Sequence, residues 1–354
     1  MLPFFICFLW FLLTIYIIYA NILLYMKEKI AIYGDGGWGT TLAIVLFKAG
    51  HDVTLWGAFP EYIKFLENKR RNKKFLPGID LPKGIRLTSD IAEISKDALA
   101  VIAIPSKYLR KTLPDLKSGI GKRVVSLTKG IEGDTLLRPS EVMREVLQVE
   151  KVASLSGPTI SFEVARDLPA TCVVASLDEV FTKELQVIFT TPNFRVYTSN
   201  DLVGVELGGA LKNVVAIAAG ISDGLGFGVN TKAAILTRGL VEIVRLGEKM
   251  GALKNTFFGL SGLGDLATTC MSEHSRNRTL GEKIGRGKKL EEILKESQMI
   301  AEGVTTAKSA YELSKKYDVD MPIVEKIYEV LYKNKEPKKA VKELMSRAFK
   351  AEAI

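Results

Sequence analysis

Lys212 is the side chain whose surroundings most clearly suggest chemistry. It lies in the segment GGALKNVVAIAAG, which consists almost entirely of apolar and small residues and whose periodicity predicts a buried helix. Burial disfavours the charged ammonium group, so it lowers a lysine's pKa toward neutrality and makes the lysine usable as a general acid or base. The alternative is a lysine whose charged end extends from the edge of the helix into water. We favour the catalytic interpretation.

Polar residues further along the chain could complete such a site. Asp265, in LSGLGDLATT, lies among glycines rather than on a charged surface helix, so it could pair with a buried lysine, although aspartate also forms turns. In the segment SRNR, Arg276 and Arg278 flank Asn277. Two guanidinium groups beside an amide suit a phosphate, and the alternative is an ion-paired helix start.

A glycine pattern near the start of the chain predicts a nucleotide site. Gly34, Gly36 and Gly39 form GxGxxG between a strand-like run, KIAIY, and a helix-like run, TTLAIVLFKAG. In this context the glycines permit a close approach to a dinucleotide pyrophosphate at the helix N-terminus. The next strand ends in WGA at residues 56–58, without a carboxylate for a ribose hydroxyl or an arginine for a 2'-phosphate. We therefore expect both NAD and NADP to be used, with a modest preference for NAD.

Three further strand-like runs end in small or polar residues. They are VIAIPS at residues 101–106, VVSLTKG at 124–130, and a run that leads into SGPT at 156–159. Ligands of open α/β sheets lie at the carboxyl ends of the strands, so these ends predict contacts with a small molecule. Lys129 could neutralise a phosphate or polarise a carbonyl there, whereas the alternative is an ordinary solvated loop lysine.

The elements that must position these residues alternate along the first part of the chain. We predict strands at residues 29–33, 51–56, 98–104, 123–128, 152–155 and 171–175, separated by helical or loop segments. Such alternation predicts an α/β fold with a doubly wound, Rossmann-type parallel sheet. Beyond about residue 200 nearly every segment has helical periodicity. We therefore expect a dinucleotide-binding domain over residues 26–199 and an all-α substrate and catalytic domain over residues 200–354.

The overall composition narrows the classes of function. The 354 residues are 47% hydrophobic and 25% charged, which is typical of a folded globular protein. A net charge of +9 favours anionic partners. Because the three cysteines lie far apart and only two histidines exist, we expect neither a disulfide framework nor a metal site. This cysteine usage also indicates a reducing compartment.

The first 25 residues are unlike the rest. Residues 2–25 carry no charge and are long enough to span a bilayer, and no Lys or Arg precedes them as in a cleavable signal, so they indicate a membrane anchor. Lys27 and Lys29 follow directly, and the positive-inside rule then leaves the folded part in the cytoplasm. The alternative is a mis-assigned start, with the protein beginning at Met26, which is also cytoplasmic.

Taken in order, the motifs resemble those of bacterial NAD(P)-dependent glycerol-3-phosphate dehydrogenases from about Lys29 to about Phe349. The motifs are GDGGWGTTLA, VIAIPS, SLTKGIE, SGPTISFEVA, ELGGALKNVVAIAAG, GLSGLGDLATTC, SRNR, AEGVTTAKS and MPI. The resemblance implies interconversion of sn-glycerol 3-phosphate and dihydroxyacetone phosphate, supply of glycerol 3-phosphate for phospholipid synthesis, a homodimer and no nucleic-acid partner. The family usually has an arginine where this chain has Ala58, which bears on the choice between NAD and NADP.

The resemblance also implies roles for individual residues. Lys212 would exchange the substrate proton, with Lys129 and Asp265 beside it in catalysis. Cofactor contacts are implied for Gly34, Gly36, Gly37, Trp38, Gly39, Lys129, Ser161, Arg276, Ile300 and Glu302, and substrate contacts for Lys129, Gly157, Thr159, Lys212, Asp265, Ser275, Arg276 and Asn277. Two other functions stay open on the residues alone, a related β-hydroxyacid dehydrogenase and a membrane-anchored nucleotide sensor without turnover.

Overall fold

Eight strands form one sheet in this computed structural model, which describes residues 27–296, 301–349 and 351–352. The strands are β1 (Lys29–Tyr33), β2 (Asp52–Trp56), β3 (Arg86–Thr88), β4 (Leu99–Ile102), β5 (Arg123–Ser126), β6 (Lys151–Ser156), β7 (Ala170–Ser176) and β8 (Phe194–Ser199). Their order in the sheet is β3-β2-β1-β4-β5-β6-β7-β8. The strand order therefore reverses between β1 and β4, because β2 and β3 are added on one side of β1 and the later strands on the other. Ligands of doubly wound folds bind at such a reversal.

Helices cover both faces of the sheet and then make up the second half of the chain. Helices of the first half are α1 (Gly37–Lys48), α2 (Pro60–Lys69), α3 (Ser106–Leu116), α4 (Pro139–Leu147), α5 (Ser161–Ala165) and α6 (Glu179–Phe189). The second half contains α7 (Leu202–Gly224), α8 (Val229–Lys249), α9 (Asp265–Met271), α10 (Arg276–Gly285), α11 (Leu290–Glu296), α12 (Glu302–Lys316), α13 (Pro322–Tyr332) and α14 (Pro337–Met345). The predicted fold class, a doubly wound sheet followed by an all-α region, is confirmed.

The pattern of burial along β1 shows why the sheet needs helices on both sides. Ile30 and Ile32 belong to one apolar cluster, and Ala31 and Tyr33 belong to another. Since successive side chains of a strand point to opposite faces, both faces of β1 are buried. Such strands form near-continuous apolar runs, as KIAIY does.

The sheet differs from the prediction in two respects. The strands β3 and β8 were not predicted, and β6 pairs with β7 in the antiparallel direction, whereas the other neighbouring pairs are parallel. After β6 the chain stays at the carboxyl end of the sheet, where the Thr41 hydroxyl of α1 donates to the Ser161 carbonyl of α5 over 3.0 Å. The next strand therefore starts from that end and runs back.

The helix α7 is the core of the helical half. Its backbone touches that of α10, because a Cβ at Gly220 would lie 2.0 Å from the Arg278 carbonyl oxygen and one at Gly281 would lie 2.1 Å from that of Ile217. Only glycine permits this approach. Since α7 carries Lys212 and α10 begins at Arg276, the contact fixes these two residues relative to each other.

Within the described part of the chain, α7 is also the one helix long and apolar enough to cross a membrane, but 94% of that stretch is buried in the protein. It is therefore a core helix. The segment 1–25, which the sequence predicts to be either an anchor or a mis-assigned start, lies outside the described residues.

Candidate active site

The glycine loop follows β1 at the point where the strand order reverses. Gly34 has φ +125°, its N–H donates to the Trp56 carbonyl over 2.9 Å, and a Cβ on it would lie 2.7 Å from the Ala103 carbonyl oxygen. A Cβ at Gly39 would lie 2.0 Å from the Gly34 carbonyl oxygen. Both positions therefore require glycine, which lets α1 start directly against the ends of β1 and β4.

The N-terminus of α1 fits a pyrophosphate. Gly36 is its N-cap residue, and in the described structure no side chain caps it, so the first-turn N–H groups of Gly37, Trp38 and Gly39 are available for a ligand. A Cβ at Gly36 would meet nothing within 4 Å, so this side of the loop is open. The Ser161 hydroxyl lies on the other side, 3.7 Å from the position of a Gly37 Cβ.

Trp38 has its ring directed into the protein. Its centroid lies 6.2 Å from that of Phe194 on β8, and its indole nitrogen is buried without a hydrogen-bond partner among the described residues. The cofactor contact that the resemblance implies for Trp38 would therefore come from its backbone.

A carboxylate lies at the end of β2 although the sequence there contains none. It belongs to Asp35, the second residue of the glycine pattern, and its Oδ2 lies 2.7 Å from the position that a Cβ on Gly57 would occupy. Residues 56–58 themselves have no carboxylate, as their sequence shows, and this side chain comes instead from the preceding loop.

Two lysines from different halves of the chain converge on one carboxylate. Lys212 Nζ on α7 donates to Asp265 Oδ1 over 2.6 Å, and Lys129 Nζ, after β5, donates to Asp265 Oδ2 over 2.6 Å. Lys212 also donates to the Thr269 hydroxyl over 2.6 Å, and Lys129 donates to the Gly157 carbonyl over 3.0 Å. The structure thus brings together Lys129, Lys212 and Asp265, which belong to three separate sequence motifs.

Burial controls the charge of Lys212, whose side chain is almost fully buried. Removal from water lowers the pKa of its ammonium group to about 8, while the Asp265 carboxylate raises the pKa and the positive charge of Lys129 lowers it further. Two ammonium groups sharing one carboxylate leave an excess positive charge. Lys212 is therefore able to give up a proton near neutral pH.

The position of Asp265 follows from tight packing around α9. The π-turn Leu260–Gly264 leads into α9, and a Cβ at Gly208 of α7 would lie 2.7 Å from the Ser261 carbonyl oxygen of that turn.

The end of β6 is also tightly packed. Gly157, at φ +145°, would place a Cβ 2.8 Å from Cys172 Cα. The Thr159 hydroxyl donates to the Gly157 carbonyl over 3.1 Å, so this strand end is fixed beside Lys129.

The N-terminus of α10 presents a further group of polar residues. Ser275 is its N-cap residue, and its hydroxyl accepts from the Arg278 N–H over 3.2 Å. Within the described residues Arg276 forms no ion pair, and its side chain is accessible to solvent. A free guanidinium beside free helix N–H groups is suited to a phosphate. Arg278 instead pairs with Asp223 over 2.7 Å, so it has a structural role.

Asn277 is more constrained than the sequence suggests. Its amide nitrogen donates to Asn213 Oδ1 over 2.9 Å, and its amide oxygen accepts from the Gly303 N–H over 2.9 Å. The buried side chain therefore joins α7, α10 and α12. Its backbone N–H and second amide hydrogen remain for a substrate.

Glu302 contacts the end of β4. Its carboxylate accepts from the Ser106 N–H over 3.1 Å and from the Ser106 hydroxyl over 2.5 Å. Burial raises the pKa of Glu302, whereas these hydrogen bonds and the charge of Arg276 lower it. Ile300, which the resemblance places at the cofactor, lies outside the described residues.

Sequence reasoning missed two residues of the site. Thr269 lies one helical turn after Asp265, and this i, i+4 spacing on a helix is the signal that could have identified it. Asn213 follows Lys212 directly and donates to the Lys129 carbonyl over 3.2 Å. Among the described residues, no group of three or more His, Cys, Asp or Glu side chains is placed to hold a metal ion.

Comparison with known proteins agrees with this site. The family described as NAD-dependent glycerol-3-phosphate dehydrogenase matches through its N-terminal model at residues 29–182 and through its C-terminal model at residues 201–342. A protein of Citrifermentans bemidjiense named glycerol-3-phosphate dehydrogenase [NAD(P)+] is 50% identical over 93% of this chain and all of its own length. A Fusobacterium nucleatum protein with the same name is 48% identical over 92% of this chain and 98% of its own.

A solved structure is also similar over most of its length. The crystal structure of glycerol-3-phosphate dehydrogenase from Coxiella burnetii has a TM-score of 0.86 and 35% sequence identity, and it covers 91% of this chain and 99% of its own. These similarities favour a glycerol-3-phosphate dehydrogenase over a β-hydroxyacid dehydrogenase or a nucleotide sensor.

Proposed function

Because this chain belongs to the NAD-dependent glycerol-3-phosphate dehydrogenase family, we propose a catalytic role for each group that converges on its cleft. The enzyme interconverts sn-glycerol 3-phosphate and dihydroxyacetone phosphate with NAD(H) or NADP(H). When bound, the dinucleotide exchanges a hydride with C2 of the substrate at its nicotinamide ring. The protein must hold both molecules and move the proton of the C2 hydroxyl.

Lys212 moves that proton. An ammonium group has three donor hydrogens, and two of those of Lys212 are directed to Asp265 and Thr269. The third position is left for the C2 oxygen. With a pKa of about 8, neutral Lys212 accepts the hydroxyl proton during oxidation, and protonated Lys212 donates it during reduction.

Lys129 and Asp265 support this transfer. Asp265 fixes the positions of both lysines, because each of its oxygens accepts from one of them. The positive charge of Lys129 stabilises negative charge that develops on the C2 oxygen. Gly157 and Thr159 fix Lys129 from the end of β6 and contribute to the substrate side of the cleft.

The N-terminus of α10 holds the substrate phosphate. Arg276 supplies a guanidinium, and Ser275 and Asn277 supply polar groups next to it. Holding the phosphate at a fixed distance from Lys212 orients C2 for reaction, which is how binding energy remote from the reacting atoms accelerates a reaction.

The glycine loop holds the dinucleotide. Gly34, Gly36, Gly37, Trp38 and Gly39 form the cradle for its pyrophosphate, with Ser161 beside it. Lys129, Arg276 and Glu302 lie toward the nicotinamide end, where the two halves of the chain meet. The observation that carries this assignment is the convergence of two lysines on Asp265 beside an open glycine loop.

The direct test is a spectrophotometric assay. The purified protein should oxidise NADH in the presence of dihydroxyacetone phosphate, and it should use unphosphorylated dihydroxyacetone far less well. Equal rates with the two substrates would contradict the phosphate site on α10. No oxidation with either NADH or NADPH would contradict the whole assignment.

We infer that the chain divides at residues 26–199 and 200–354, that it forms a homodimer, and that it supplies glycerol 3-phosphate for phospholipid synthesis. Its reduced, buried Cys172 and Cys270 suit the cytoplasm. Sedimentation velocity tests the assembly, since a dimer has about twice the 39.0 kDa mass of one chain.

The role of residues 1–25 requires a separate test. An anchor would keep the full chain in the membrane fraction after carbonate extraction, whereas a chain begun at Met26 would be released and active. N-terminal sequencing of the native protein that finds Met26 at the start would remove the anchor hypothesis.

A further inference from the structure

The carboxylate of Asp35 occupies the place where dinucleotide-binding folds recognise the adenosine ribose. In those folds an acidic residue at the end of β2 accepts hydrogen bonds from the ribose hydroxyls, and an arginine there accommodates a 2'-phosphate. Here β2 ends at Trp56 and is followed by Gly57 and Ala58, which have neither group. Asp35 reaches the same place from the glycine loop, which follows the neighbouring strand β1.

Gly57 leaves the space that Asp35 fills. A Cβ at Gly57 would lie 2.7 Å from Asp35 Oδ2 and 2.9 Å from Asp35 Cγ, closer than atoms in contact can approach. It would also lie 2.6 Å from the Ile63 side chain. Asp35 and Gly57 are 22 positions apart in the sequence, and the missing side chain of Gly57 makes the room that the Asp35 carboxylate occupies.

The backbone of Asp35 is held firmly. Its carbonyl oxygen accepts from the Asn72 side-chain amide over 2.7 Å and from the Thr40 hydroxyl over 3.1 Å. Asn72 also donates to the Thr40 hydroxyl over 2.7 Å, and both side chains are fully buried. These contacts fix the backbone from which the Asp35 side chain extends toward the end of β2.

One oxygen of the Asp35 side chain lacks a donor. Asp35 Oδ2 is shielded from solvent and has no hydrogen-bond partner among the described residues. A buried carboxylate oxygen without a donor is costly, so the site is incomplete as it stands. Asp35 as a whole is half-buried, so a ribose hydroxyl at the adenosine end of the dinucleotide would donate to the accessible part of its carboxylate.

The lysines of this region do not offset the negative charge of Asp35 at the place where the 2'-phosphate of NADP would bind. Burial raises the pKa of Asp35, whereas a backbone hydrogen bond and the charge of Lys74 lower it. The Lys74 ammonium lies 5.0 Å from the centre of the Phe75 ring. Lys73 and Lys74 are exposed, and such lysines are hydrated, flexible point charges without the fork geometry of arginine. A 2'-phosphate at this place would lie beside the Asp35 carboxylate and would find no arginine in residues 56–58.

We propose that Asp35 is the ribose-binding residue of this enzyme and that it makes the enzyme selective for NAD(H) over NADP(H). The proposal rests on the proposed function, since it concerns the same dinucleotide cleft. It replaces the modest preference for NAD expected from the sequence with a definite one, because repulsion from the carboxylate adds to the absence of an arginine. Asp35 is a specificity-determining residue and takes no part in proton transfer.

The test is direct binding of NADH and NADPH to the free enzyme, measured by calorimetry without substrate. The wild type should bind NADH more tightly than NADPH by about tenfold or more, the effect of one charged hydrogen bond made or lost. Asp35→Asn keeps the shape but removes the charge, so the ratio of the two Kd values should fall about tenfold. Asp52→Asn is the matched control, because it removes the same charge at the opposite end of β2 and should leave the ratio unchanged.

A second variant covers the case in which Asp35→Asn does not fold. Gly57→Ala displaces the carboxylate without removing it, and it should weaken NADH binding and reduce the ratio. The proposal is overturned if the wild type binds NADPH at least as tightly as NADH, or if the folded variants keep the wild-type ratio. A wild type that binds neither dinucleotide would instead overturn the proposed function.

Discussion

The helix α7 carries two buried ionic clusters that are built in opposite ways. In the first, which we call the Glu206 cluster, the Glu206 carboxylate accepts from Arg138 Nη1 over 2.6 Å and from the Ser140 N–H over 2.8 Å and its hydroxyl over 2.7 Å. Arg138 also pairs with Glu141 over 2.8 Å. In the second, the Lys212 cluster, two lysines share one carboxylate.

The difference separates a structural cluster from a catalytic one. In the Glu206 cluster the single buried cation has two carboxylates and every acceptor shown has a donor, so the cluster joins α7 to the start of α4 and holds the two halves of the chain together. In the Lys212 cluster positive charge is in excess, and burial, aided by the charge of Lys129, lowers the pKa of Lys212 to about 8. An unbalanced cluster is costly for stability but leaves a charge and a proton for a substrate.

The largest expected effect is on activity, from Lys212→Met. The change removes the proton-transfer group, so kcat should fall about 10² to 10⁴-fold. Binding of NADH should persist, because the glycine loop lies in the other half of the chain. The unfolding temperature should not fall, since Asp265 keeps its hydrogen bond to Lys129 and one buried charge is removed. Steady-state kinetics and calorimetry check both statements, and wild-type kcat in this variant would refute the role of Lys212.

The opposite result is expected from Arg138→Met in the Glu206 cluster. It leaves the Glu206 carboxylate buried without its cation, so the free energy of unfolding should fall by about 3–5 kcal/mol. The kcat of the folded enzyme should remain near that of the wild type. Replacing Arg138 and Glu206 together with Met should recover much of the loss, because no unpaired charge remains. Denaturant titration measures these differences, and a large loss of kcat at full folding would remove the distinction between the clusters.

The two clusters also show what sequence can predict. Lys212 stands out because it is a cation in an apolar helix, and the same helix contains Glu206 six residues earlier. The partner of Glu206 is 68 residues away in sequence, so no local pattern points to it. The partners of Lys212 were found because Asp265 and Lys129 lie in motifs that are informative by themselves.

The fold shows the same limit. Strands with long apolar runs, such as β1, were predicted, whereas β3 has only three residues and carries too little pattern. The strand β8 alternates buried and exposed residues over FRVYTS, and that period of two could have identified it. The sequence could not place the Asp35 carboxylate at the end of β2, because the direction of that side chain depends on the conformation of the glycine loop.

A smaller effect is expected from Arg276→Ala at the N-terminus of α10. The change removes one charged contact to the substrate phosphate, so KM for dihydroxyacetone phosphate should rise about 10- to 100-fold while the affinity for NADH changes less. Arg276→Lys should recover only part of the loss, because an ammonium lacks the planar fork. Arg278→Ala is the control, since Arg278 pairs with Asp223 and should affect stability more than KM. Equal KM effects of the two alanine variants would contradict the assignment.

The pH dependence of kcat/KM in the two reaction directions tests the protonation state of Lys212, and it is the smallest effect predicted here. Oxidation of glycerol 3-phosphate needs neutral Lys212, so its kcat/KM should rise about tenfold per pH unit below about pH 8 and level off above it. Reduction of dihydroxyacetone phosphate needs protonated Lys212, so its kcat/KM should be constant below that pH and fall above it. Ionisation of the substrate phosphate is nearly complete above about pH 7 and does not produce this change.

The same profile can be shifted by changing the cluster. The charge of Lys129 lowers the pKa of Lys212, so Lys129→Met should move the midpoint of the residual activity to higher pH. Asp265→Asn removes the carboxylate that raises this pKa, so it should move the midpoint to lower pH. Arg138→Met, in the Glu206 cluster, should leave the midpoint in place. If Lys129→Met and Asp265→Asn keep the wild-type midpoint as well, the titrating group is not Lys212, and the excess charge of its cluster has no bearing on catalysis.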